Sequence, residues 1–270
     1  MVYLPKCADV EIPSRHLGLS LDEDFCFEEF ADRVAELVEK YVDIDRLLEL
    51  TKQVAPAALP MSVSHRTYRR EPSFTVAIAR DPAFNFMYEA NIRYLHHLGE
   101  VTYFSPLADT SLPDAGFVYL PGGYPELYLA ALSANRPMLQ SIRRYVENGG
   151  KLLAECGGMM YLCDEIRDKN GDVFPMVGVL HQSATMENMK LRLGYRTLLY
   201  NDARLKGHEF HYSRLVEQQD PLPSCAVAYT AKGVETDTPL YHYKNVWAGY
   251  THLYWADPAG NDWFTKFIIK

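Results

Sequence analysis

A chain of 270 residues with 48% hydrophobic and 23% charged side chains can bury a full core, which excludes intrinsic disorder and suits one large domain or one domain with an appendage. The formal net charge of -8 excludes nucleic acid as the main partner, because binding phosphates needs a basic face. Five scattered cysteines (Cys7, Cys26, Cys156, Cys163, Cys225), without paired metal spacing, fit a reducing cytoplasmic setting; no signal pattern opens the chain and no run approaches the roughly 18 apolar residues of a membrane helix.

The three-four spacing of Phe27, Phe30, Ala31, Val34, Leu37, Val38 and Tyr41 predicts an amphipathic helix from Asp24 to Tyr41. Asp43 is placed to cap a second helix with Ile44, Leu47 and Leu48. Ala55 to Ser73 holds Pro56, Pro60 and Pro72 with Arg66, Arg69 and Arg70, the composition of a solvated linker, so the chain divides near residue 70. Strands and helices then alternate: strand Thr75 to Ala79, helix Asn85 to Leu98 closed by Gly99, strand Val101 to Phe104, and strand Phe117 to Leu120. A helix from Pro137 to Glu147 stops at Asn148-Gly149-Gly150 before a strand from Lys151 to Glu155. Such alternation predicts an α/β fold, a mainly parallel sheet with helices on both faces and ligands at the carboxyl ends of its strands. Pro121-Gly122-Gly123 and Cys156 both fall at such ends. From Val177 the pattern turns strand-rich and turn-rich, and it ends in a helix around Asn261 to Ile269.

Ala154-Glu155-Cys156-Gly157-Gly158-Met159 reads as a nucleophile elbow. A thiol on a strand-to-helix turn stands above the sheet edge in an unusual backbone conformation, small neighbours let substrate approach, and the helix N-terminus is expected to favour thiolate and oxyanion. Acyl chemistry by a cysteine enzyme is the expectation. Glu155 beside the thiol leaves open a peptidase-like or deglycase-like hydrolase, in which a neighbouring glutamate lowers the thiol pKa. Cys163, seven residues on, falls on the same helix face as Cys156 and reads as core packing. His208, Glu209 and His211 alternate along a strand, His208 with Phe210 on one face and Glu209 with His211 on the other, so no metal site is expected of them.

Four motifs stand in order between about residues 74 and 260: Leu120-Pro121-Gly122-Gly123-Tyr124-Pro125-Glu126, Ala154-Glu155-Cys156-Gly157-Gly158-Met159-Met160-Tyr161-Leu162, Gly207-His208-Glu209-Phe210-His211-Tyr212-Ser213 and Tyr250-Thr251-His252-Leu253. Together they resemble class I glutamine amidotransferase domains of the cobalamin pathway, with the cobyrinic acid a,c-diamide synthase family the nearest likeness. Pro13-Ser14-Arg15-His16-Leu17-Gly18-Leu19 resembles the closing section of that family's N-terminal ATP-binding synthetase domain.

The resemblance implies a flavodoxin-like amidotransferase domain over 74–270, a synthetase remnant over 1–54 and a linker over 55–73. It makes Cys156 the nucleophile on the glutamine carboxamide and His252 its base. Gly122, Gly123, Tyr124 and Gly157 would serve the oxyanion and bound glutamine, and His208, Glu209 and His211 would contact substrate or line the ammonia route. Most class I members place a glutamate two residues after the histidine; Tyr254 stands there, so no Cys-His-Glu triad can be written, and a backbone carbonyl or Asp257 is left to orient His252. No Gly-x-x-x-x-Gly-Lys-[Ser/Thr] loop occurs, and Gly149-Gly150-Lys151-Leu152 fails the pattern. The resemblance therefore implies no cofactor for this part of the enzyme, with ATP and Mg2+ belonging to a synthetase half. The implied partners are glutamine, cobyrinic acid or a related tetrapyrrole, and the synthetase half or a homodimer partner, with no nucleic acid and no membrane. A Ni-sirohydrochlorin a,c-diamide synthase part and a non-catalytic assembly module are the alternatives. The helices of residues 24 to 52, read as packing on a synthetase sheet, are expected to show partly exposed apolar faces.

Overall fold

The computed structural model describes residues 3–11, 26–52, 74–219 and 221–269, which fall into two units on either side of the 53–73 span. The stretch Pro13 to Leu19, Asp24 and the linker assigned to 55–73 lie outside the described residues. In the first unit, α1 (Phe27–Tyr41) carries Glu28 and Glu29 in its first turn and Lys40 in its last, the charge order its dipole favours. Asp43 caps α2 (Ile44–Lys52) as expected, accepting the Arg46 N–H at 3.0 Å. No residue of either helix is buried: Phe27 is 64% and Leu47 50% exposed.

The second unit begins β1 (Thr75–Ala79), α3 (Glu89–Leu98), β2 (Glu100–Phe104), β3 (Phe117–Leu120), α4 (Leu129–Ala134), α5 (Arg136–Glu147), β4 (Lys151–Glu155) and α6 (Gly157–Leu162). It continues with β5 (Glu165–Arg167), β6 (Val173–Pro175), β7 (Ser183–Thr185), β8 (Arg192–Tyr200), β9 (Ala203–His211) and β10 (Arg214–Leu215). It closes with β11 (Val227–Thr230), β12 (Glu235–Thr236), β13 (Leu240–Tyr243), β14 (Val246–Gly249), β15 (His252–Tyr254) and α7 (Pro258–Phe264), which runs into a π-helical turn, Thr265–Ile269.

The main sheet has the order β2-β1-β3-β4-β14-β13, parallel throughout except at β13. That is a doubly wound, flavodoxin-like order. Helices cover both faces, so the inner strands β1, β3 and β4 are buried runs whose alternate residues enter two cores. Val76, Ile78, Phe117, Tyr119 and Leu153 pack with Ile92 and Leu95 of α3 and Trp263 and Phe264 of α7. Ala77, Ala79, Val118, Leu120, Leu152 and Ala154 pack with Met138, Ile142 and Val146 of α5 and with α6. α5 starts at an Asn135 side-chain cap and ends at Asn148. Gly149 follows at φ +86, the left-handed stop read from Asn148-Gly149-Gly150.

Two local expectations are corrected, and the strand-rich reading after Val177 is borne out. The helix expected from Asn85 begins at Glu89, because Phe86 is held extended by donating its N–H to the Gly122 carbonyl at 3.0 Å. The last helix begins at Pro258 and not Asn261: Asp257 caps it by accepting the Gly260 N–H at 2.7 Å, and proline suits a first turn. The strand-rich region after Val177 adds only β13 and β14 to the parallel sheet. Its remainder builds a five-stranded antiparallel sheet, β12-β11-β8-β9-β15, and strands for a four-stranded one, β10-β7-β5-β6. The β8–β9 hairpin turns at Asn201, φ +50, a residue type that tolerates the left-handed region. Among the described residues no helix is long and apolar enough to cross a membrane.

Candidate active site

Cys156 stands between β4 and α6 at φ 48, ψ -107, a conformation that costs a non-glycine residue about 1–3 kcal/mol and that its neighbours hold in place. Its N–H donates to the Gly249 carbonyl of β14 at 2.8 Å, and its carbonyl accepts the Met160 N–H at 3.0 Å. Gly158 must lack a side chain, since a Cβ there would run into the Leu120 carbonyl at the end of β3. The same strand end leads into Gly122-Gly123, and a Cβ on Gly157 would lie 3.3 Å from the Gly123 nitrogen, so the two candidate oxyanion-donor backbones adjoin.

His252 reaches the same place from the other sheet. It opens β15, pairs in register with His208 of β9, and stacks on the His208 ring at 5.0 Å with the edge of Phe86 at 4.6 Å. A Cβ on Gly122 would collide with His252 Cε1, so glycine at that turn is what lets the imidazole lie over it. The ring is buried, and Nδ1 has no hydrogen-bond partner among the described residues; it lies 4.0 Å from Glu155 Oε2. Glu155 is itself buried, accepting the Tyr119 hydroxyl at 2.7 Å on Oε2 and the Leu253 N–H at 3.1 Å on Oε1. The imidazole is thus fixed against the Gly122 turn and the Glu155 carboxyl, the residue directly before Cys156.

Burial pushes the Cys156 thiol up, the Glu126 carboxyl adds to this, the Gly157 N–H opposes it, and Glu155 and Glu209 raise it further. The N–H at the start of α6 favours the thiolate as expected but is outweighed by burial and Glu126, while Glu155 raises the thiol where the deglycase-like reading needs it to lower it. The sulfur is protonated at rest and needs a base. Burial takes His252 down to about 3, with His208 and His211 contributing, so the imidazole is neutral and able to accept a proton. Burial also lifts Glu155 to about 8 against its two hydrogen bonds, and lifts Glu126 to about 7.

The geometry thus brings together Cys156, His252, Gly122, Gly123, Gly157 and His208, whose Nδ1 lies 2.6 Å from the Tyr88 hydroxyl. Tyr124 commits its N–H to the Ala83 carbonyl at 2.9 Å and turns its half-buried phenol towards Cys156. Glu209 and His211 lie on the opposite face of β9 from His208, as their alternation predicts. Glu209 pairs with Arg196 at 3.0 Å, and His211 donates Nδ1–H to the Ser213 carbonyl at 2.9 Å while stacking on Tyr250 at 3.8 Å. Among the described residues no group of three His, Cys, Asp or Glu gathers as a metal site. Cys163 is core, its thiol turned to the Met159 carbonyl. Asp257 does not orient His252; it caps α7 and faces Lys206 at 3.6 Å, and among the described residues no backbone carbonyl meets Nδ1. Gly149-Gly150-Lys151 is a helix-to-strand turn, with Gly150 packed against the Tyr145 ring.

Sequence reasoning missed Glu155 as a neighbour of His252, and Tyr88, Tyr119 and Glu126 as its surroundings. For Glu155 a signal existed, because a carboxylate ending the buried run Leu152-Leu153-Ala154 must be paired or functional. Tyr88 carried none.

Residues 75–260 match the CobB/CobQ-like glutamine amidotransferase domain family. The hydrogenobyrinate a,c-diamide synthase of Pseudomonas aeruginosa is 36% identical over 258 residues, which cover 93% of this chain and 56% of that protein. The cobyrinate a,c-diamide synthase of Dehalococcoides mccartyi is 37% identical over 274 residues, 94% of this chain and 58% of the relative. That of Salmonella typhimurium is 35% identical over 265 residues, 94% and 57% respectively. The chain spans a little over half the length of these curated relatives. With its elbow, its glycine turn and its histidine in one place, the chain belongs to the CobB/CobQ-like glutamine amidotransferase family.

Proposed function

We propose that this chain hydrolyses glutamine and supplies the ammonia to an ATP-dependent a,c-diamide synthase acting on cobyrinic acid or a closely related corrinoid acid. The observation behind this reading is the strained thiol at the end of β4 beside a neutral, buried imidazole at the start of β15, with two glycine backbones adjoining. The Cys156 proton passes to His252 as sulfur bonds to the glutamine carboxamide carbon, and the C=O electron pair moves to an oxyanion facing the Gly123 and Gly157 amides. Collapse breaks the C–N bond, the imidazolium proton leaves with ammonia, and a γ-glutamyl thioester remains. Water, deprotonated by His252, then cleaves the thioester to glutamate and the thiol. Activation of the acceptor carboxylate is assigned to a synthetase half, which would hold the ATP and Mg2+ for that step.

The experiment is ammonia release from glutamine by the chain, alone and with a relative's synthetase half, ATP and cobyrinic acid. Weak hydrolysis alone, stronger hydrolysis with the synthetase half, and ATP-dependent amide formation are expected. Cys156→Ala should lower hydrolysis by about 10⁴-fold or more with the fold retained. Activity surviving that substitution overturns the reading.

A further inference from the structure

We propose that Glu155, the residue immediately before the nucleophile, is the positioning acid for His252: its carboxyl takes the imidazole Nδ1–H and leaves Nε2 to receive the Cys156 proton. This rests on the reading of His252 as the base. Nδ1 is buried, has no hydrogen-bond partner among the described residues, and lies 4.0 Å from Oε2, so a movement of about 1 Å makes the bond. Glu155 is held for this task at both oxygens. Tyr119 of β3 donates to one, and the other accepts the N–H of Leu253, which ties the carboxyl to the backbone directly after His252. The ring has no other resting place, since His208, Phe86 and Gly122 enclose it.

The position two residues after the histidine holds Tyr254, which is partly exposed and packs edge-on to Tyr88, so no acid comes from there. The turn at φ 48 sets consecutive residues to different work: Cys156 stands above the sheet while Glu155, still in β4, points into it. In the reaction Glu155 neither gains nor loses a proton. The imidazolium formed when Nε2 takes the thiol proton shares its Nδ1–H with the carboxylate, and the Nε2 proton goes on to the departing ammonia. The groups facing the Glu155 carboxyl are Tyr119 from β3, Tyr88 from the segment before α3 and His252 from β15, with His208 of β9 behind the imidazole.

Glu155→Gln removes the acceptor charge at nearly constant shape. The expected result is a loss of about 10² to 10⁴ in kcat with KM for glutamine within about threefold, partly restored by Glu155→Asp. Activity of the unsubstituted chain should also rise with pH as the carboxyl ionises near 8, and the glutamine variant should lack that limb. Nitrogen-15 NMR of the unsubstituted chain should find His252 as the Nδ1–H tautomer, a readout independent of whether the variants fold. A kcat within about threefold of the unsubstituted chain in Glu155→Gln, or an Nε2–H tautomer, overturns the assignment. Activity in Cys156→Ala strikes instead at the glutaminase reading, so the two failures are distinguishable.

Discussion

The parallel and antiparallel sheets contribute to the site in opposite ways. The parallel sheet delivers Cys156 and Gly122-Gly123 through local devices, each set by its own neighbours in the chain: a strand end with a tight turn after β3, and a strand end with a short helix after β4. The antiparallel sheet delivers His252 through non-local ones, a three-residue edge strand whose place depends on pairing with His208 of β9 and on the Glu155 bond to Leu253. A nucleophile can be encoded by a few consecutive residues, whereas its base needs the whole second sheet in register.

That contrast can be broken from either side. On the antiparallel side the largest effect should come from His252→Asn, which removes the proton acceptor and should cost about 10² to 10⁴ in kcat, read as ammonia release, with little change in KM. Retention of full activity would mean that the second sheet contributes shape alone. Next comes Gly122→Ala, which drives a methyl group into His252 Cε1 and displaces the imidazole. About 10²-fold is expected from a misplacement near 1 Å, and a crystal structure of the variant should show the ring shifted away from the turn. An unmoved ring with unchanged kcat would uncouple the two sheets.

The smallest effect concerns stability. Glu155 releases its proton near 4.5 in the ordinary case but near 8 when folded, so the folded chain binds one more proton between those values. The contribution of Glu155 to stability is therefore fully present below about pH 4.5 and is lost as pH rises through about 8. The thermal midpoint of the unsubstituted chain should fall relative to Glu155→Gln between about pH 5 and about pH 9, by about 2–4 °C for each kcal/mol lost. Equal gaps at the two pH values would show that the carboxyl is as well solvated as in the open chain.

Much of the site was legible where chemistry follows from neighbours in sequence. Strand Lys151 to Glu155, the cysteine and two glycines sufficed to place the thiol at a strand end, because apolar continuity and glycine are local signals. The ionisation of that thiol was not legible. It follows from how deeply Cys156 lies and from Glu126, thirty residues earlier in the chain. Asn85 to Tyr88 failed for the same reason, as helical spacing gave way to a backbone bond from Phe86 to Gly122. The helix expected before Tyr41 shows the converse. Its spacing was correct over Phe27 to Tyr41, yet no residue of it is buried, since amphipathicity specifies a face and does not supply what covers it.

The order of elements, the doubly wound core and the place of Cys156 at a strand end were determined by the sequence itself, since periodicity, turn residues and glycine positions act within a few residues of where they stand. The partner of His252 was decided by tertiary structure alone. Glu155 and His252 are 97 positions apart, and only the pairing of β4 with β14 and of β15 with β9 brings a carboxyl from one sheet within 4.0 Å of an imidazole from the other.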